Sequence, residues 1–346
     1  MPRLTHVFAS IFFVLLISIQ GHSIHFTDEN EYGSYDSEKI KNDYRRPSVI
    51  PFPKSNPYTL EKATLGKMLF FDQRLSGGQN MSCATCHNPS FGWEVPFPTA
   101  IGAQNQKLDR HAPTVLSMAW VDSFFWDGRA ATLEEQAGGP ITSEVEMNLP
   151  LEELVERLKG IPAYVSGFAL AFPSKGISED SIKKAIATYE RTIVPNNSPF
   201  DNWLAGDDDA ISASAQRGFD LFNTKAQCST CHSGWNFSDN QFYDIGLASE
   251  DIGRFKEDGS NPKNRHAFKT PGLRNLTQRA PFMHDGSLQS LEDVVIHYVS
   301  GGVERPSRSE HIGPLNLNDT EVTDLVAFLE SLTAEREQVV LPILPN

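Results

Sequence analysis

The stretch Cys83-Ala84-Thr85-Cys86-His87 returns 145 positions later as Cys228-Ser229-Thr230-Cys231-His232. Each is C-x-x-C-H, the attachment pattern of a c-type haem. Two thiols three positions apart, on a turn entering a helix, reach the two vinyl groups of one porphyrin. The adjacent His then lies beneath the iron as its proximal ligand. All four cysteines of the 346-residue chain lie in these motifs. The same thiols could form a four-Cys zinc site or two redox disulfides. Neither explains why His follows the second Cys both times, and zinc would need Cys pairs 145 positions apart to converge. The motifs therefore point to two covalent haem c groups, one on Cys83, Cys86 and His87, the other on Cys228, Cys231 and His232.

The residues ahead of the two motifs also match. Leu65-Gly66-Lys67-Met68-Leu69-Phe70-Phe71 precedes the first and Arg217-Gly218-Phe219-Asp220-Leu221-Phe222 the second. A Gly followed by an apolar helical face and a loop to C-x-x-C-H is how a small cytochrome c domain begins. An internal repeat with a large insertion follows. Ile182, Ala185, Ile186 and Tyr189 recur at helical spacing after Ser178, as do Val322, Leu325, Val326 and Leu329 after Asp319-Thr320. This is the period of amphipathic helices, and long β-alternation is absent. The expected fold is mainly α, with an N-terminal haem domain over 51–205 and a C-terminal one over 206–346.

Lys and Arg number 30 against 44 Asp and Glu, a formal net charge of −14. A nucleic-acid binder needs clustered basic residues, so that class is excluded. Four cysteines are also too few for a disulfide-dense scaffold. Residues 1–25 carry one charge, Arg3, before an apolar run from Val7 to Ile19. That run is short for a membrane span and suits a secretory signal, although no clear A-x-A box follows. Residues 1–25 are expected to be removed on export, an uncleaved anchor being the alternative. The mature chain would have no membrane span and would work in a periplasm. Residues 26–50 are polar and read as an extended lead-in.

Several further motifs make the chain resemble the bacterial di-haem cytochrome c peroxidase and MauG family. They are Trp126-Asp127-Gly128-Arg129, Leu133-Glu134-Glu135-Gln136-Ala137, Gly139-Pro140 and Val145-Glu146-Met147. Phe268-Lys269-Thr270-Pro271-Gly272-Leu273-Arg274-Asn275 and Pro281-Phe282-Met283-His284-Asp285-Gly286 continue the match, which spans 58–335. The resemblance implies a peroxidatic N-terminal haem, a C-terminal haem that stores or relays electrons, and a Trp between them. Trp126 matches that Trp, Glu146 and Gln136 the distal acid–base and hydrogen-bonding residues, and Pro140 the distal proline. A buried carboxylate such as Glu146 suits the proton transfer of peroxide cleavage. Taken alone, Glu146 would read as a charge ahead of a helix near Leu151–Leu158, and Trp126 as core packing beside Phe124-Phe125.

Two positions depart from the peroxidase members. Those cap the first iron with a His in the loop after the motif, and that position here is Ala103. His111 could take over, but it aligns with a structural loop, so a permanently open first haem is expected. Peroxidases ligate the second haem with Met, and the matching position is Tyr298, where MauG also carries Tyr. A phenolic oxygen favours electron-poor iron, whereas a thioether raises the potential. His297 is a rival ligand pointing roughly 100° away on a helix, and Met283 is another. The family also places calcium between the haems on an Asn side chain. That position is His111, so calcium is doubtful here, although a backbone carbonyl at Arg279 or Pro281 could contribute.

The expected activity is that of a periplasmic di-haem oxidoreductase of the MauG type. Hydrogen peroxide would generate high-valent haem iron that oxidises a protein partner, such as a methylamine dehydrogenase precursor with a tryptophan-derived quinone. One alternative is a peroxidase drawing electrons from a small cytochrome c or cupredoxin. The other is a non-enzymatic di-haem electron carrier.

Overall fold

The computed structural model describes residues 37–336 and 338–346. The signal segment and the first part of the lead-in lie outside the described residues. The described residues form one compact unit.

The N-terminal half is built from α2 (Leu60–Phe71), α3 (Cys83–Cys86), α4 (Leu133–Thr142), α5 (Leu151–Lys159), α6 (Pro162–Ala171) and α7 (Glu179–Arg191); α1 (Ser37–Asp43) precedes it. The C-terminal half holds α8 (Pro199–Leu204), α9 (Ala213–Asn223), α10 (Leu291–Ser300) and α11 (Asp319–Ser331). Regular β-structure among the described residues is confined to β1 (Phe242–Tyr243) and β2 (Phe268–Lys269), paired antiparallel. The mainly α expectation holds.

Each half is closed by a helix crossing that the two glycines permit. A Cβ on Gly66 of α2 would lie 1.9 Å from the Ala185 carbonyl of α7, and one on Gly218 of α9 would lie 1.9 Å from the Asp324 carbonyl of α11. Only a residue without Cβ allows the backbones so close. Ser178 caps α7 through a reciprocal box with Ser181, which buries Ile182, Ala185, Ile186 and Tyr189. Asn318 caps α11 in the same way with Glu321, so this helix starts one turn ahead of its apolar face.

The second core is aromatic. Tyr44, Phe200, Phe219, Phe222, Phe237 and Phe328 pack together with ring centroids 4.8–6.2 Å apart. Each such ring contributes roughly 1.5–3 kcal/mol by leaving water. Tyr44 is 2 % exposed and donates to Asn223 Oδ1 at 2.8 Å. The described part of the lead-in is therefore not an extended tail. Ser37–Asp43 is helical, and Tyr44 plugs the second core. Phe200, Trp203 and Leu204 of α8 belong to that core too, so segments on both sides of the N-terminal half pack against the C-terminal one.

A second, longer repeat joins the halves. Residues 158 positions apart share local geometry from Pro113 and Pro271 onward. Ser117 and Asn275 both have positive φ (62° and 58°), as do Phe125 and Met283 (65° and 76°). Bridges Phe124↔Ala130 and Phe282↔Leu288 close the matching loops. Thr132 and Ser290 then cap α4 and α10. The shared Asp-Gly of Trp126-Asp127-Gly128 and His284-Asp285-Gly286 was the sequence signal of this repeat.

Candidate haem and peroxide sites

Cys83, Cys86 and His87 lie in the wall of a cavity of about 920 Å³, which the second half borders through Asn236, Lys269 and Arg274. No thiol is in a disulfide. His87 and His232 follow their Cys pairs on matching turns, each backbone N–H donating to the first Cys carbonyl at 2.9 Å. His87 Nδ1 faces the Trp93 carbonyl at 3.3 Å, and His232 Nδ1 faces that of Phe237 at 2.9 Å. A bond at Nδ1 fixes the ring and leaves Nε2 as the iron ligand. Burial holds both imidazoles below their usual pKa, which favours the neutral, ligating form.

One face of α4 roofs the first site. Leu133, Gln136, Ala137, Pro140 and Ile141 follow helical spacing and all line the cavity. Pro140 inside the helix cannot donate to the Gln136 carbonyl. After α4 the chain doubles back: Met147 N–H bonds to the Pro140 carbonyl at 3.0 Å and Leu149 N–H to that of Ile141 at 2.8 Å. This turn returns Glu146 to the cavity. Burial raises the Glu146 carboxyl above its usual range, while the Ser143 hydroxyl and the Arg129 charge pull it down. Glu146 also raises the Cys86 thiol, second to burial, which puts the carboxylate beside the haem-attachment edge. Gln136, Pro140 and Glu146 thus share one cavity.

Ala103 is pinned beside this turn, its N–H donating to the Glu146 carbonyl at 2.7 Å. Its methyl offers no ligand. His111 does not replace it. Its ring is buried, with Nδ1 facing the Phe97 and Pro98 carbonyls at 3.0 and 3.2 Å and Nε2 facing Glu94 at 3.2 Å. Glu94 is further held by Arg279 Nε and by Thr114 N–H, both at 3.0 Å. Calcium takes oxygen donors; the side chain at its family position is the His111 imidazole, which offers none and whose two nitrogens are already engaged.

Trp126 joins the halves. Its Nε1 donates to the His111 carbonyl at 2.9 Å, and its own carbonyl accepts from Lys269 N–H at 2.8 Å. Its ring stands 6.4 Å from that of His284, which stacks on Phe268 at 3.6 Å.

At the second site Tyr298 is half-buried. Burial, with the Cys228 and Cys231 thiols adding to it, raises the phenol well above its usual pKa. Tyr298 therefore lies close to the second Cys pair. His297 turns away, its Nε2 on the Ile245 carbonyl at 3.0 Å. Met283 sits in the left-handed turn before α10, the counterpart of Phe125.

Three donors were not found from sequence. Arg274 Nη2, Trp235 Nε1 and Arg46 Nε are buried without a hydrogen-bond partner. Both guanidinium groups lie over the Trp235 ring, at 5.1 and 5.0 Å. Burial also lowers the Lys269 ammonium to about 8, against the pull of Asp122. Unsatisfied cationic donors at this depth suit buried carboxylates, and haem propionates supply them. The residues present fit two haem c groups.

The description "di-haem cytochrome c peroxidase" belongs to the family model that matches residues 60–209, and a cytochrome c model matches 215–333. The methylamine utilization protein MauG of Methylorubrum extorquens is 50 % identical over 313 residues, 90 % of this chain and 89 % of that one. The chain belongs to the di-haem cytochrome c peroxidase family. The cytochrome c551 peroxidase of Pseudomonas aeruginosa is 36 % identical, covering 86 % of each chain. Among solved structures, a MauG-like protein associated with microbial copper homeostasis superposes with a TM-score of 0.77 at 31 % identity, covering 84 % of this chain and 95 % of that one. This di-haem peroxidase relative is thus an oxidoreductase of peroxidase type with two covalent haem c groups. No helix among its described residues is long and apolar enough to cross a membrane.

Proposed function

We propose that this chain is an exported, periplasmic MauG-type oxidase that uses hydrogen peroxide to oxidise a protein partner. The supporting observation is the pair Pro140 and Tyr298, 158 residues apart on matching helices. The Pro140 ring lines the first cavity and carries no donor atom, whereas the second site has the half-buried Tyr298 phenol. The MauG relative at 50 % identity agrees with this reading, and a precursor of methylamine dehydrogenase is the partner class it suggests.

When bound, the first haem supplies the iron at which peroxide is reduced, and the pair of haems supplies the redox capacity for the oxidising equivalents. Glu146 takes the proton of the incoming peroxide at its carboxylate and returns it to the departing oxygen. The Gln136 amide, one turn before Pro140, orients that oxygen. Pro140 and Ile141 keep the roof apolar. Trp126, bonded to backbone of both halves, carries electrons between them. Desolvation raises the Tyr298 phenol well above its usual pKa, so it serves as an oxygen ligand only against a cation at the second site.

The test is a peroxide titration of the fully oxidised protein followed by absorption and electron paramagnetic resonance. A quinone-precursor protein and a reduced small cytochrome are then added separately. The reading expects one high-spin and one low-spin haem at rest, and reaction with the precursor. Two low-spin haems, or rapid turnover with the small cytochrome alone, would overturn it in favour of an electron carrier or a cytochrome c peroxidase.

A further inference from the structure

The proposed mechanism leaves unused a buried acid of the first cavity that has no salt bridge. Glu190, in the last turn of α7, is 3 % exposed, and its side chain lines the same cavity as Cys83 and His87. Its Oε2 is buried with no hydrogen-bond partner. The adjacent cation makes no ion pair with it: Arg191 is bound to Glu134 of α4 through Nη1 at 2.6 Å and Nη2 at 2.9 Å, and its charge offsets only part of the effect of burial on Glu190. Glu190 is also close enough to Cys83 to raise that thiol, second to burial. An unpaired carboxyl thus stands beside the point where the haem is tethered.

An isolated carboxylate in such a place is costly, and the group escapes that cost by holding a proton. The cost falls when positive charge appears next to it. The haem iron gains one unit of charge on oxidation and loses it on reduction. We propose that Glu190 is the redox-linked proton site of the first haem, protonated when its iron is reduced and ionised when it is oxidised. On reduction, a one-electron donor such as dithionite or a small redox protein reduces ferric iron to ferrous. The Glu190 carboxylate takes one proton from solvent, forming one O–H bond. Oxidation reverses both transfers. The net charge of the cavity is the same in both states.

The groups facing Glu190 narrow the alternatives. They are Arg191 and Tyr189 on its own helix, Glu134 on α4 and Cys83 on α3. Glu134 is ion-paired and held below its usual range: burial raises it, but bonds from Arg191 and Asn56 outweigh that. Cys83 does not titrate once it is a thioether. Burial lifts the Tyr189 phenol beyond neutral pH. For Glu190, burial is again the largest effect and raises the carboxyl to about 8. Glu146 and the haem propionates are the remaining candidates in the cavity.

The experiment is the reduction potential of the first haem as a function of pH in the haem-loaded protein. The potential of the wild type should fall as pH rises through the neutral range, with one proton taken up per electron. Glu190→Gln mimics the protonated acid, so its potential should stay near the wild-type acid-side value at every pH. Glu146→Gln should keep the wild-type dependence. Retention of the dependence in Glu190→Gln overturns the proposal, as does its loss in Glu146→Gln. Infrared difference spectra of the wild type provide a check that needs no variant. Reduction should produce a protonated-carboxyl band, and its absence equally refutes the assignment. The proposal rests only on the haem at Cys83, Cys86 and His87, so its outcome is independent of the partner and of Tyr298.

Discussion

Pro140 and Tyr298 are the same position of one repeated unit. Each lies at the eighth residue of a helix, α4 or α10, that follows the same turn, with positive φ at Phe125 and Met283, and the same cap at Thr132 and Ser290. One helix presents a ring with no donor, the other a phenol. The two sites thus differ at this position by one side chain on a shared scaffold.

If Tyr298 ligates the second haem as proposed, Tyr298→Phe should remove that ligand while leaving the covalent attachment intact. The low-spin paramagnetic resonance signal is expected to become high-spin. An unchanged spectrum would assign the ligand to another residue.

Glu146→Gln should lower peroxide turnover by about 10²- to 10⁴-fold, the usual contribution of a positioned acid–base group. The wild-type carboxyl must be ionised to accept the proton, and burial holds its pKa above the usual range. Rate should therefore fall on the acid side at a higher pH than an exposed Glu would dictate. Stopped-flow rates across pH check this, since the limb should vanish in the variant.

Gly66→Ala and Gly218→Ala should each cost roughly 1–3 kcal/mol, because the new methyl must push two helix backbones apart. The loss should be confined to the half that carries the change. Denaturant unfolding, with each haem followed as a local probe, distinguishes this from a global effect.

Asp244 is buried with Arg305 and the Ser307 hydroxyl. Burial alone would raise its carboxyl, but bonds from Arg305, the Gly246 N–H and Ser307 hold it below the usual value. Its stabilisation is complete above the unfolded carboxylate pKa of about 3.9 and is lost as pH falls through the lower folded value. Asp244→Asn should cost about 3 kcal/mol at pH 7 by leaving Arg305 without its partner. The difference from wild type should shrink in melts below about pH 4.

Chelation of divalent metal should leave the haem spectra and the peroxide reaction unchanged, because His111, Glu94 and Arg279 satisfy one another at the inter-haem position. A spectral change on chelator addition, reversed by calcium, would contradict this.

The sequence by itself determined the two haem anchors, because covalent attachment demands two thiols and a His at fixed local spacing, and local spacing is what a sequence displays. It determined the helical fold through Gly66, Gly218 and the apolar periods of α7 and α11. That Ala103 and Tyr298 stand where peroxidase members carry His and Met was legible for the same reason, each being a residue type at a motif position. What only the tertiary structure decided depends on distant segments meeting. Tyr44 looked like part of a polar tail until Phe200, Phe219 and Phe237 closed around it. His111 was an open question until Phe97, Pro98 and Glu94 occupied its two nitrogens. Glu190 looked like one polar residue at a helix end until folding gave Arg191 to Glu134 and left the Glu190 carboxyl unpaired beside Cys83. Burial and charge pairing are properties of neighbours in space, and no local pattern in the chain encodes them.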